Sequence, residues 1–348
     1  MSNTGEVARF SWVHRSTIQD AACLTFVRGV DADRVGRGFG AVTEHVQKLD
    51  FDEFCEEAFA HQDRYPVIGL RTGDGWTLVA EDGGLQGTRR EVLRRVSAGT
   101  AAVSAFWDVN GLTRFSHAVD GAVRTSFEAL MPEYRLGVAP DELEEIRAGL
   151  PWAGSGSEER GENSVELMLA LAARITGCPL TPEWLEGDFL TYPVAPWPQD
   201  LPASPEELLD EVGLARIWPE HPDSAALLSE LRRAGSSRCG RAAVGVARYV
   251  LDVADGFGWP EVTETLRALE TGAEFDAGRI GELVRLRRWE LHRGPATSAD
   301  RARVRALEVL RQATNDDPLV GLLGTLAESR RLRLEQATIS DLAAAALS

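Results

Sequence analysis

Pro66-Val-Ile-Gly-Leu-Arg71, Thr72-Gly-Asp-Gly75 and Trp76-Thr-Leu-Val-Ala80 follow one another without a gap, and this run decides the fold class. Two short apolar segments flank an Asp-Gly step, the residue pair that a tight hairpin turn favours because its central residues take positive φ. The device recurs. Ala101-Ala-Val-Ser-Ala-Phe-Trp107 is separated from Leu112-Thr-Arg-Phe-Ser-His-Ala118 by Asn110-Gly111, and Asp120-Gly121 hands the chain to Ala122-Val-Arg-Thr-Ser-Phe127. Residues 21–30 read as a further strand ending at Arg28-Gly29. The reading is an antiparallel β-sheet punctuated by its own turns.

Helical spacing surrounds that sheet. Phe51, Phe54, Cys55, Ala58 and Phe59 recur at i, i+3, i+4, i+7 and i+8, a stripe that faces a core. Asp31 or Asp33 is expected to cap a short helix through Val35. Thr88–Val96 forms another helix, and Pro140–Ile146 opens with the proline and acids of a first helical turn. The expected fold class is therefore α+β, an antiparallel sheet with flanking helices over residues 1–150, followed by an all-helical domain over 206–348. Residues 151–162 read as a glycine-rich break and 163–187 as a bridging helical segment whose helix, Asn163–Ile175, is closed by Gly177. Pro193, Pro196, Pro198, Pro202 and Pro205 crowd 188–205, which is expected to be an extended connector. Beyond it, Glu206–Val212, Ser224–Ala234, Gly240–Ala254, Pro260–Glu270, Arg279–His292, Arg301–Ala313, Pro318–Leu326 and Arg330–Ala346 each show helical spacing between breaks.

At 348 residues and 44% apolar content the chain can bury two ordinary cores. Its formal net charge of −17 argues against wholesale coating of nucleic acid or an anionic membrane. The four cysteines, at 23, 55, 178 and 239, form no CxxC pair, so neither zinc nor haem is signalled. Cys23, inside an apolar strand, is expected to pack as a small hydrophobe. The N-terminus lacks a basic and apolar secretory pattern. Leu167–Ala173 falls far short of the ~20 apolar residues a bilayer span needs. A cytoplasmic chain with reduced thiols is expected.

Candidate chemistry is sparse. Glu81-Asp82 closes the Trp76 strand, where adjacent carboxylates could raise one another's pKa or hold a divalent cation; more often, such a pair only starts a turn. Six histidines never fall as HxxxH or HExxH; His117 reads as a strand residue and His221 as a loop residue. Gly36-Arg-Gly-Phe-Gly40 lacks the GxGxxG order of a phosphate loop, and Ser97-Ala-Gly-Thr100 lacks the GxSxG nucleophile elbow. In the helical half, Arg285 and Arg288 are i, i+3 neighbours and Arg301 and Arg305 are i, i+4 neighbours, so each pair shares a helix face. They could meet an anionic partner, but the interleaved acids Glu282, Glu290 and Glu308 favour internal pairing.

Four separated segments carry a likeness. Ala22-Cys-Leu-Thr-Phe-Val-Arg-Gly29, Gly75-Trp-Thr-Leu-Val-Ala-Glu-Asp82, Val96-Ser-Ala-Gly-Thr100 and Thr176-Gly-Cys-Pro-Leu-Thr-Pro182 agree in order with, and the first ~190 residues resemble, an actinobacterial family of unknown function. The family implies no activity, substrate or catalytic residue. The strand-and-tryptophan layout is similar at fold level to immunity proteins that neutralise bacterial toxins. The expected function is that of a non-enzymatic binding or interaction protein in immunity, defence or regulation, without cofactor or metal and with another protein as partner. The alternative is an enzyme with an unfamiliar carboxylate and histidine site in the α+β domain, in which Glu81 and Asp82 would converge in one pocket.

Overall fold

The computed structural model describes residues 4–152, 163–178, 180–197, 205, 208–209, 217–218, 223–332 and 334–347. Most of the expected glycine-rich break, most of the expected 206–212 helix, and His221 lie outside them. Two compact units divide the chain, Met1–Trp197 and Pro198–Ser348.

Nine strands form the N-terminal unit's sheet: β1 Ala22–Arg28, β2 Gln47–Leu49, β3 Val67–Gly73, β4 Trp76–Asp82, β5 Ala101–Trp107, β6 Thr113–Val119, β7 Ala122–Phe127, β8 Arg135–Leu136 and β9 Phe189–Pro193. Their order is β2-β9-β3-β4-β1-β5-β6-β7-β8, and every pairing is antiparallel. The three turn signals sit where the sequence puts them. Asp74 and Gly75, and likewise Asp120 and Gly121, take positive φ, as does Gly111. The Asp108 carboxylate accepts from Asn110 N and Leu112 N, both at 2.9 Å, to close the β5–β6 loop.

Both faces of the central strands are covered. On one face Leu24, Phe26, Leu78, Ala105, Trp107 and Phe115 pack with the helices Phe51–His61 and Ser164–Thr176. On the other, Val27, Val79, Ala102, Ile68 and Leu70 pack with the helices Ala32–Phe39 and Arg90–Val96. This covering explains why β1 and β4 read as nearly continuous apolar runs.

Several expectations need correction. The helix capped by Asp31, whose carboxylate accepts from Arg34 N at 2.8 Å, continues past Val35 to Phe39. The expected Pro140–Ile146 helix contracts to Glu144–Arg147, and that expected over Arg330–Ala346 contracts to Gln336–Ala344. Phe59 is 71% exposed, because it lies about 80° round the helix from Phe51 while Phe54 and Ala58 stay on the sheet side. The stretch at the head of the expected connector belongs to the sheet: β9 hydrogen-bonds to both β2 and β3. Pro193 is tolerated because it ends the strand, where its carbonyl accepts from Val42 N at 2.9 Å. Residues 198–204 of that segment lie outside the described residues.

Gly36-Arg-Gly-Phe-Gly40 is helix and C-cap, not a phosphate loop. A Cβ on Gly38 would stand 2.5 Å from Val96 Cγ1, so this glycine lets the two helices on that face approach closely. Gly38→Val should therefore cost roughly 2 kcal/mol in urea unfolding, within the usual range for overpacking; unchanged stability would show that the helices can separate freely.

The C-terminal unit is helical throughout its described elements, from Ser224–Ala234 to Gln336–Ala344. Ser236–Val253 lies at its centre, carrying Val246, Ala247, Val250 and Leu251 into a core with Leu307, Leu310, Leu322, Leu323 and Leu326. Pro318–Ser329 is buried from Leu319 to Ser329, matching its lack of a polar face. Among the described residues no helix is long and apolar enough to cross a membrane.

Candidate functional site

Strand alternation separates the two carboxylates that the sequence sets side by side. Glu81 pairs with Cys23 in register and points to the face covered by the Ala32–Phe39 and Arg90–Val96 helices; Asp82 points to the opposite face, beside the Cys55 thiol. They do not converge, and among the described residues no group of three acids, histidines or cysteines could hold a metal ion. The expectation of a shared pocket or cation site at Glu81 and Asp82 is therefore overturned.

Glu81 is sealed in. It is 1% exposed, and its carboxylate accepts from Gln86 N at 2.7 Å and Gly87 N at 2.8 Å, in the single turn Gln86–Thr88. Burial pushes its pKa from 4.5 up to about 7, against the opposing pull of those two N–H groups, Cys23 and the Arg89 guanidinium. Cys23 is buried, as expected, though beside polar groups: its Sγ lies 3.4 Å from Ser104 Oγ, which accepts from Thr25 Oγ1 at 3.1 Å. Burial, and then the neighbouring Glu81 charge, hold that thiol well above its ordinary pKa. All four cysteines are free. Asp82 is half-buried, and burial raises its pKa as well.

The hydroxyl row continues across the sheet into a cleft that sequence reading missed. Thr25, Ser104, Ser116 and Ser126 occupy one register line through β1, β5, β6 and β7. Ser116 and Ser126 share a hydrogen bond of 2.9 Å at the floor of a cleft of about 690 Å³. Its walls are the Arg90–Val96 helix and the chain from Leu136 to Val138. Gly137, at φ +128°, lets that outer wall lie against β7, since a Cβ would meet Arg124 O at 2.3 Å; Val138 N then donates to Val123 O and Ala139 N to Arg124 O.

Three arginines line the cleft. Arg90 and Arg94 stand at i, i+4 on the helix, and Arg114 shares the pleat face of Ser116. No carboxylate lines it among the described residues, and Arg90 and Arg114 make no ion pair among them. In the serine pair one hydroxyl donates to the other, so a second hydroxyl proton remains; it has no acceptor among the described residues. A cleft of this size and lining can hold a small anion with an apolar portion. The i, i+4 arginines and the Arg114/Ser116 alternation were legible singly, but only the fold joins them.

The remaining candidates stay apart. His117 faces the other side of the sheet, its pKa lowered mainly by burial. Ser97 Oγ accepts from Gly121 N at 3.2 Å, a structural role in the β6–β7 hairpin. In the C-terminal unit Arg285 is buried and pairs with Glu282, Arg287 with Glu290 at 2.7 Å, and Arg288 with Glu308 at 3.0 Å. Arg301 donates to Ala296 O at 2.8 Å and Arg305 to Arg331 O at 2.7 Å.

These features define a class: an α+β protein whose all-antiparallel sheet carries a basic cleft floored by paired serines. Residues 4–199 match a family of unknown function, DUF6461, and the chain belongs to it. The match encloses every residue of the cleft. Neither a curated protein nor a solved structure matches.

Proposed function

We propose that the chain is a non-enzymatic binding protein whose N-terminal unit captures an anionic ligand in the cleft. The lining carries this reading: three guanidinium groups around a serine pair, with no carboxylate among the described lining residues, in a chain of net charge −17. Local potential is set by charges within about 10 Å at ~0.1 M salt, so acids beyond that range do not cancel it; of the nearby acids, Glu91 pairs with Arg89, and Asp120 precedes the lining residue Gly121. An enzyme built on Glu81 and a histidine has less support, because Glu81 lies beneath the Gln86–Thr88 turn and His117 on the other face. A protein partner has separate support in Met131 and Tyr134, large side chains left exposed outside the cleft lining.

The test compares thermal stability in phosphate and in chloride at matched ionic strength. Phosphate should raise Tm by binding the folded state, and Arg90→Glu with Arg114→Glu, both exposed positions, should remove that gain. An equal phosphate effect in the double variant would falsify the reading.

A further inference from the structure

Resting on the anion-binding reading, we propose that the cleft's ligand is a phosphomonoester with an aliphatic body. Charge supports the head group. Three arginines surround the cleft without a lining carboxylate among the described residues. A phosphomonoester carries about −1.5 to −2 at neutral pH and offers three acceptor oxygens, whereas a carboxylate offers one charge and two oxygens. Guanidinium forks match phosphate oxygens two at a time.

The floor supports a terminal phosphate. Ser116 and Ser126 are 1% and 8% exposed, so only a group at the end of a ligand reaches them. The spare proton of their 2.9 Å pair needs an acceptor, and a phosphoryl oxygen supplies one. The side of an extended polypeptide would meet the rim arginines but leave that proton unpaired.

The walls support the body. Leu93 and Val123 line the inside, while Leu136 and Val138 line the outer wall and are 67% and 65% exposed. No aromatic side chain is among the described lining residues, so a base has no ring to stack on, whereas methylenes have apolar surface to cover. Each fully buried methylene strengthens binding about fourfold.

Calorimetric titration of the full chain with inorganic phosphate, butyl phosphate and butanoate tests the assignment, with sedimentation of phosphatidate vesicles as a fourth arm. Butyl phosphate should bind at least tenfold more tightly than either inorganic phosphate or butanoate. Leu136→Ser should cut the advantage over inorganic phosphate several-fold, and Ser116→Ala should weaken both phosphates several-fold. Co-sedimentation with the vesicles, competed by butyl phosphate, assigns the phosphate to a lipid headgroup; binding of butyl phosphate alone assigns it to a free small molecule, and either supports the proposal. Equal affinity for butyl phosphate and inorganic phosphate, or for butyl phosphate and butanoate, overturns the phosphomonoester assignment but leaves anion capture standing. Absence of binding by all four probes, with Arg90→Glu and Arg114→Glu silent, overturns both.

Discussion

Between pH 4.5 and 7 the chain should lose about 3 kcal/mol of folding stability relative to its Glu81→Gln variant. Glu81 has a native pKa of about 7 against an ordinary 4.5. The native state therefore holds the proton over a range in which the unfolded state has released it. Its contribution is fully present below pH 4.5 and lost as pH rises through 7. Burial is the cause, since ionising the group means charging it inside the sheet's covered face, with only Gln86 N, Gly87 N, Cys23 and Arg89 to offset the cost. Urea unfolding of both proteins at several pH values isolates this group, because every other titration is common to them. A difference that stays flat with pH would mean that Glu81 is solvated in solution. Glu81→Ala should be worse at every pH, for it leaves two buried N–H groups unpaired at about 1–3 kcal/mol each.

Trp107→Ala should lower stability by about 3–5 kcal/mol, the range for emptying a large aromatic site. Trp107 is buried in the larger sheet-face core, and its Nε1 donates to Ile18 O at 2.8 Å. The indole thus fills the core and fastens the segment ahead of β1. Trp107→Phe separates these roles by keeping most of the apolar volume and losing the donor; it should cost about 1–2 kcal/mol. If both variants unfold at the same urea concentration, the hydrogen bond rather than the volume dominates.

What could be read from the sequence was what local chemistry decides. Asp74-Gly75, Asn110-Gly111 and Asp120-Gly121 need positive φ or tolerate it, so the turns and the strands between them were legible. Phe51, Phe54 and Ala58 gave a core-facing helix through their spacing, although Phe59 turned outward. What escaped depends on pairing between distant segments. Strand β9 was hidden by the prolines that follow it, because its partners lie in β2 and β3, more than a hundred residues away. The direction of Glu81 was hidden for a different reason: β4 is apolar on both sides, so alternation gave no inside or outside. The cleft drew on a helix, three strands and a late loop. Nothing in the sequence singles out Arg90, Arg94 or Arg114, while the more conspicuous arginines of the C-terminal unit proved to be paired with nearby acids or bonded to carbonyls.

The position of β9 also governs how the protein is made. β3 leaves the ribosome with β4 as its only neighbour, and the strand that covers its other side is about 120 residues behind. At ~5–20 residues per second the nascent chain carries that bare edge for roughly ten seconds. Throughout that time Val67, Ile68 and Leu70 present a template to any other extended chain. Expression of the sheet without residues 189–193 would make the interval permanent. A product ending near residue 150 is thus expected in inclusion bodies, and one ending at 197 in the clarified lysate.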